Sequence, residues 1–219
     1  MQIGAIADVH ANKPALDAVL EDMPDVDMIV CAGDMVGYYP WPVECLEEIR
    51  RRDIPCIQGN HDRAIATGNA GGFNAMARAG VTFARSALDQ HDLEWLSELP
   101  TERTIADEQV RVVHGHPDDP DHYTYPAEFS AELLGEQSVL VLAHTHVQHS
   151  ETFPGGIVVN PGSVGQPRDG DPRAAYAVID LAAGTVAESR VAYDIDAVIE
   201  AVKTAGLPRR VGERLREGR

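Results

Sequence analysis

Short apolar runs, each followed at once by acidic, amide or imidazole side chains, recur along the chain. Ile3-Gly4-Ala5-Ile6-Ala7 leads into Asp8-Val9-His10, and Met28-Ile29-Val30-Cys31-Ala32 leads into Gly33-Asp34. Ile54-Pro55-Cys56-Ile57-Gln58 precedes Gly59-Asn60-His61-Asp62, Val110 to Val113 precedes His114-Gly115-His116, and Val139 to Ala143 precedes His144-Thr145-His146. Continuous rather than alternating apolar character marks strands buried on both faces, and therefore a sheet covered by helices. Ligands of such sheets collect beyond the carboxyl ends of the strands. Convergence of these tips would gather Asp8, His10, Asp34, Asn60, His61, His114, His144 and His146. Carboxylates and imidazoles at that density are costly to bury without a cation, so the pattern points to a metal centre.

Between the tips, the periodicity switches to helical. Leu16, Val19, Leu20 and Met23 share one face of a helix over Lys13 to Met23, with Pro14 tolerated near its start and Pro24 as its stop. Further helices are expected from Val43 to about Arg52, from Phe73 to Leu88, from Asp92 (as N-cap) to Leu99, and from Ala127 to Gly135. Arg63 to Gly72 shows no sustained period. Hairpins are expected at Thr101–Ile105 with Gln109–Val113, at Glu151–Phe153 with Ile157–Val159, and at Ala175–Leu181 with Thr185–Tyr193. Ile195 to about Ala205 is amphipathic. Arg209 to Arg219, rich in arginine and glutamate, reads as a solvated helix or frayed end.

Composition narrows the class. No linker divides the 219 residues, so one domain is expected over 1–219, with a motif-bearing core at 1–193 and a helical tail at 194–219. The apolar runs fall far short of the roughly 20 residues of a membrane span, and no signal segment opens the chain, which suggests a soluble cytoplasmic protein. A formal charge of −17 opposes binding to nucleic-acid polymers or anionic membranes, but not to a small phosphorylated substrate. The acidic surplus would also suit a high-salt milieu. Cys31, Cys45 and Cys56 show no paired spacing and read as buried hydrophobes.

The mixed oxygen and nitrogen donor set suits Mn²⁺, Fe²⁺, Zn²⁺ or Ni²⁺ better than Ca²⁺ or Mg²⁺. Asp34, with two oxygens, is the natural bridge between two cations. Two ions roughly 3.5–4 Å apart would clamp a phosphoester and turn a shared water into hydroxide. His61, beside Asn60, can act as general acid or stabilise charge on the phosphoryl group, and Asp62 can orient it. Arg168 could contact an anionic substrate or form a structural salt bridge, and the aromatic loop around Tyr38 could pack or line a pocket.

In order and spacing, Asp8-Val9-His10, Gly33-Asp34, Gly59-Asn60-His61-Asp62, His114-Gly115 and His144-Thr145-His146 resemble the calcineurin-like metallophosphoesterases. Asn12 to Leu16, Val36-Gly37-Tyr38 and Asn160 to Arg168 are similar to the small single-domain prokaryotic phosphodiesterase-like branch. The resemblance implies an α/β fold, a two-sheet β-sandwich flanked by helices in four αββα layers, and a dinuclear centre that hydrolyses phosphoesters. It places one metal on Asp8, His10, Asp34 and His146, and the other on Asp34, Asn60, His114 and His144. His61 matches the catalytic histidine. Manganese is the favoured ion, and a small nucleotide-like diester is favoured slightly over a monoester. Ala143 stands where the family usually has glycine, and no second aspartate follows Asp34 as in some larger phosphatases.

Two other functions fit less of the pattern. A metal-holding scaffold for a protein partner, as the retromer subunit of this fold is thought to be, would not need His61. An exonuclease of the same superfamily would want a basic surface. A homo-oligomer is compatible with the sequence, which locates no interface.

Overall fold

The structure, a computed structural model, describes residues 1–219 and contains two sheets packed face to face. In chain order the elements are β1 (Gln2–Ile6), α1 (Lys13–Asp22), β2 (Met28–Cys31), α2 (Pro42–Arg51), α3 (Asn60–Thr67), α4 (Ala75–Ala87), α5 (Gln90–Glu98), β3 (Glu102–Ile105), β4 (Val110–Val113), β5 (Val139–Val141), β6 (His149–Phe153), β7 (Gly156–Asn160), β8 (Ala174–Asp180), β9 (Thr185–Val191), α6 (Ile195–Thr204) and α7 (Arg209–Glu213). One sheet has the order β2-β1-β8-β9 and the other β3-β4-β5-β7-β6. The pairs β1–β2, β4–β5 and β5–β7 are parallel, so these tips emerge together, while the hairpin strands form antiparallel borders.

Alternation along the strands builds three layers of core. Ile3, Ala5, Val30, Ala177 and Ile179 of the first sheet meet Val110, Val112, Val139, Val141 and Val159 of the second. The outer face of the first sheet, with Ile6, Cys31 and Tyr176, packs on Leu16, Leu46, Ile49, Ile65, Val81 and Leu96 from the helices. Leu140, Leu142 and Val158 on the far face of the second sheet are covered by Phe129 and Leu134. All three cysteines are free and buried. No helix is long and apolar enough to cross a membrane.

Several elements differ from the sequence expectation. Ile54 to Gln58 forms only a bridge between Cys31 and Cys56, because Pro55 brings no N–H and offers its carbonyl to Cys31 (2.9 Å). Within Arg63 to Gly72, read as aperiodic, residues 63–67 belong to α3, which starts at Asn60 and ends at Gly68 with φ 77°. Asp89 rather than Asp92 caps α5; its carboxylate accepts from the Asp92 N–H (2.9 Å) while Asp92 accepts from Asp89 (3.2 Å). The helix expected over Ala127–Gly135 is two 3₁₀ turns, Pro126–Glu128 and Ala131–Leu134, separated by extended Phe129 and Ser130. The tail is not a solvated end: Val211 and Leu215 are fully buried with Val198 and Val202 against Tyr38 and Tyr39.

Candidate metal centre

The tips of β1, β2, β4 and β5 and the first turn of α3 meet at one end of the sandwich. Asp8, His10, Asp34, His61, His114, His144 and His146 are all buried there. Asp8, His10, Asp34, His144 and His146 have φ between 51° and 68°, a left-handed conformation that non-glycine residues adopt only when the surroundings enforce it. The surroundings here are backbone hydrogen bonds. Asp8 N–H donates to Gly33 O (3.0 Å), His10 N–H to Asp34 O (2.9 Å) and Gly165 N–H to Asp8 O (3.0 Å). Ser163 adds its hydroxyl to the Asp8 carbonyl at 2.7 Å. Gly59 is required by closeness, since a Cβ there would lie 2.1 Å from Asp34 Oδ1 and 2.4 Å from Asp34 N.

The donors fall into overlapping groups: Asp8 with His10 and His146, and Asp34 with His114 and His144, with His10, Asp34 and His61 also within ligand reach of one another. His146 Nε2 lies 3.1 Å from His10 Nε2 and 3.5 Å from Asp8 Oδ1. His114 Nε2 lies 3.1 Å from Asn60 Oδ1 and 3.5 Å from Asp34 Oδ2. The tautomers follow from the other ring nitrogens. His114 Nδ1 faces the Ala32 carbonyl at 2.8 Å and His146 Nδ1 faces the Gln166 carbonyl at 2.6 Å. A carbonyl can only accept, so each Nδ1 carries the proton and each neutral ring turns the lone pair of Nε2 toward the cluster.

Those inward lone pairs meet oxygens and another imidazole. In addition, Asp8 Oδ1 and His144 Nε2 are buried without any hydrogen-bond partner. With both rings neutral, acceptors face acceptors in a dry site and repel, which a positive charge at the cluster relieves; unpaired buried polar atoms are costly as well, so the donor set fits a bound cation. Charge perturbations agree in direction. Burial opposes a charge on His114, yet Asp34 and Asp8 outweigh it and push the imidazole up to about 9. Burial pushes Asp8 up to about 7. Burial would also raise Asp34, but His114 and His61 hold it well below the usual carboxylate range. Burial pushes His144 down to about 3 and lowers His10 and His146, leaving neutral imidazoles suited to ligation.

His61 is set against this cluster without a hydrogen bond to its Nδ1. Its ring lies between His10 (centroids 4.7 Å apart), Tyr38 (4.7 Å) and Phe73 (4.6 Å), and burial pushes its pKa down to about 4. Its backbone N–H donates to Asp34 Oδ1 at 2.8 Å. Asp62 does not reach the His61 imidazole. Its Oδ2 accepts from the N–H groups of Asp34 (2.7 Å) and Gly59 (3.0 Å), and its Oδ1 from Val36 (3.2 Å). The carboxylate thus fastens the Asp34 turn to the start of α3, and the sequence-based role of orienting His61 has no contact behind it.

Arg168 makes no salt bridge; its guanidinium donates to Gln166 Oε1 at 2.8 and 3.2 Å and lies 3.5 Å from the Tyr38 hydroxyl. Its backbone N–H donates to the His146 carbonyl at 3.1 Å, which sets it beside the cluster, and its charge acts on Asp8, His10, His61, His144 and His146. Gln166 was not singled out from the sequence, yet it supports the site twice, through its carbonyl on His146 and its side chain on Arg168. Its Nε2 donates to the Tyr39 hydroxyl (3.1 Å), which donates to the Val211 carbonyl (3.0 Å), tying the C-terminal helices to the site. Phe73 and Tyr123 were also missed. His116 stands outside the cluster, accepting at Nδ1 from the Asp118 N–H (3.1 Å), and His91 and His122 are exposed.

Comparison with known proteins agrees with this geometry. The profile of the calcineurin-like phosphoesterase superfamily domain matches residues 1–184. A protein of Methanocaldococcus jannaschii, MJ0912, uncharacterized, is 30% identical over 99% of this chain and 98% of its own. Phosphodiesterase YfcE of Escherichia coli is 27% identical over 82% of this chain and 88% of its own. The crystal structure of a metallophosphoesterase from Sphaerobacter thermophilus superposes with a TM-score of 0.89 at 36% identity, covering 100% of both chains. Five strand and helix tips carrying one cluster of Asp and His side chains that could hold metal, on a sandwich shared with a metallophosphoesterase and under a profile spanning most of the sequence, place the chain in the calcineurin-like phosphoesterase superfamily.

Proposed function

We propose that this protein hydrolyses a small, nucleotide-like phosphoester, a diester in preference to a monoester, at a centre of two divalent transition-metal ions, with manganese favoured. The observation behind this reading is the fixed tautomers of His114 and His146, which aim lone pairs into a cluster that already holds the unpartnered Asp8 Oδ1 and His144 Nε2. Asp8, His10, Asp34 and His146 would hold one ion, and Asp34, Asn60, His114 and His144 the other, with the Asp34 carboxylate shared. When bound, such ions supply Lewis-acid polarisation of the phosphoryl group and a water acidic enough to attack it at neutral pH.

The chain's own groups complete the chemistry. Arg168, unpaired with any carboxylate and held by Gln166, meets a non-bridging phosphoryl oxygen and orients the ester. His61 backs its buried Nδ1 onto Gly37, so Nε2, which is not among the buried unpartnered atoms, is the ring nitrogen available to a leaving-group oxygen. Wedged between aromatic rings, the imidazole meets that oxygen in one orientation. The first turn of α3 adds the partial positive charge of its N-terminus to the side where negative charge develops. A dimer or other homo-oligomer is not needed for any of these roles.

Hydrolysis of an aryl phosphodiester and the matching monoester tests this reading. The protein would be stripped of metal and reloaded separately with Mn²⁺, Ni²⁺, Zn²⁺ or Mg²⁺, beside His61→Ala. Diester turnover that requires metal and falls at least about 100-fold in His61→Ala, with metal still bound, is expected. Folded protein that binds two cations yet turns over neither ester would favour a scaffold for a protein partner instead.

A further inference from the structure

The hydrolytic reading leaves one built feature of the site unused, in the loop between β4 and β5. Tyr123 and Tyr125 are 44% and 48% exposed, the only large hydrophobic side chains besides Met1 so open to solvent. Tyr123 lies face to face on His144, with ring centroids 3.8 Å apart and planes inclined by 28°. Tyr125 is nearly parallel to Tyr123, with centroids 6.3 Å apart and planes inclined by 17°. Two exposed, co-aligned aromatic faces therefore begin directly at a candidate metal ligand. Arg168, 3.5 Å from the Tyr38 hydroxyl, supplies the cation of the same region, and its charge acts on Tyr123.

The loop that presents them is anchored. Between the tyrosines, Thr124 is fully buried and donates its hydroxyl to the Gly115 carbonyl at 3.0 Å. The Tyr125 N–H donates to Glu128 Oε1 at 2.9 Å, and Asp121 accepts both bonds of a forked pair from Arg63 (2.6 and 2.8 Å). Rings held in this way lose little freedom on meeting a flat ligand, which favours recognition by stacking. Neither ring belongs to a hydrophobic core cluster, and both leave nearly half their surface in water.

We infer that Tyr123 and Tyr125 form the stacking subsite for a nucleobase carried by the phosphoester substrate. The inference rests on the proposed hydrolysis and gives its substrate a class. With the phosphoryl group at the His and Asp cluster and against Arg168, the organic part of the ester leaves the centre past His144 and Tyr123. A nucleobase covers the tyrosine faces there, whereas an aliphatic group leaves them wet. Stacking of one base on an aromatic side chain corresponds to roughly 5- to 150-fold in affinity.

The test compares the methyl ester of adenosine 5′-phosphate with the methyl ester of ribose 5-phosphate, which presents the same reacting diester without a base. Wild type, Tyr125→Ala and Tyr125→Trp, each loaded with Mn²⁺ and checked for folding by circular dichroism, would be assayed for kcat/KM. Adenosine binding would be followed separately by saturation-transfer NMR, which needs no turnover. The expected result is a wild-type preference for the base-bearing ester of at least tenfold. That ratio falls to about two or below in Tyr125→Ala, recovers in Tyr125→Trp, and adenosine binding follows the same order. Equal turnover of both esters in wild type, with adenosine binding absent or indifferent to Tyr125, overturns the subsite and leaves hydrolysis standing. Tyr125-dependent adenosine binding with neither ester hydrolysed sinks the hydrolytic reading and leaves the subsite. Failure of both removes both.

Discussion

Replacing Asp62 by alanine separates two roles for a carboxylate that lies next to the candidate catalytic histidine. Sequence position alone makes it a partner for His61, but both of its oxygens are committed to the backbone N–H groups of Asp34, Gly59 and Val36 at 2.7, 3.0 and 3.2 Å. The residue is fully buried, so water does not reach these donors in Asp62→Ala. Each buried donor left without a partner costs about 1–3 kcal/mol. Part of this is offset because the carboxylate is itself expensive to bury, as its rise to about 7 through burial and the neighbouring Asp34 indicates. A net loss of about 3–5 kcal/mol follows. For a chain of this size that is a fall in Tm of roughly 6–20 °C. Asp34 sits at φ 55° and depends on those bonds, so manganese affinity should fall by about 10- to 100-fold as the turn relaxes. Thermal melts of metal-free protein and calorimetric manganese titration check both effects, with Asp62→Asn, which keeps one acceptor oxygen, falling between. An Asp62→Ala protein with wild-type Tm and manganese affinity but a lost kcat and altered pH profile would refute this reasoning and return the carboxylate to His61.

Two other substitutions probe the supports of the site. Gly37→Ala puts a Cβ 2.6 Å from His61 Nδ1 at a residue with φ 115°, so kcat should fall by at least about tenfold while manganese affinity by calorimetry stays within about twofold. Gln166→Ala removes the anchor of Arg168 and the partner of Tyr39, and should raise KM for an anionic ester by about tenfold with a smaller change in kcat. An unchanged KM in that variant would mean that Arg168 holds its place without Gln166.

The convergence of the candidate ligand positions was legible because each follows an apolar run short enough to be a strand and rich enough to be buried. Periodicity also located α1, α2, α4 and all three hairpins. It failed at Asn60–Thr67, where Asn60, His61 and Asp62 occupy the first turn of a helix and polar side chains erase the hydrophobic stripe. Pro55 misled in the opposite direction, since the apolar run around it looks like a strand but lacks the donor to extend its pairing. In the tail, arginines and glutamates outnumber the apolar positions, yet Val211 and Leu215 are the ones that decide burial. Asp62 shows the limit of adjacency: neighbours in a helix project in different directions, and only the fold reveals which N–H groups the carboxylate meets. Gln166 and Tyr123 carried no signal because their roles depend on partners far along the chain, Tyr39 for one and His144 for the other.

The most direct test of the proposed centre is a titration of Mn²⁺ into metal-stripped protein, with bound metal counted by elemental analysis and phosphodiester turnover followed in the same samples. Two ions per chain, with activity rising as the pair fills and lost again on chelation, is the expected result. Turnover that survives chelation, or that reaches its maximum with a single ion bound, would contradict it.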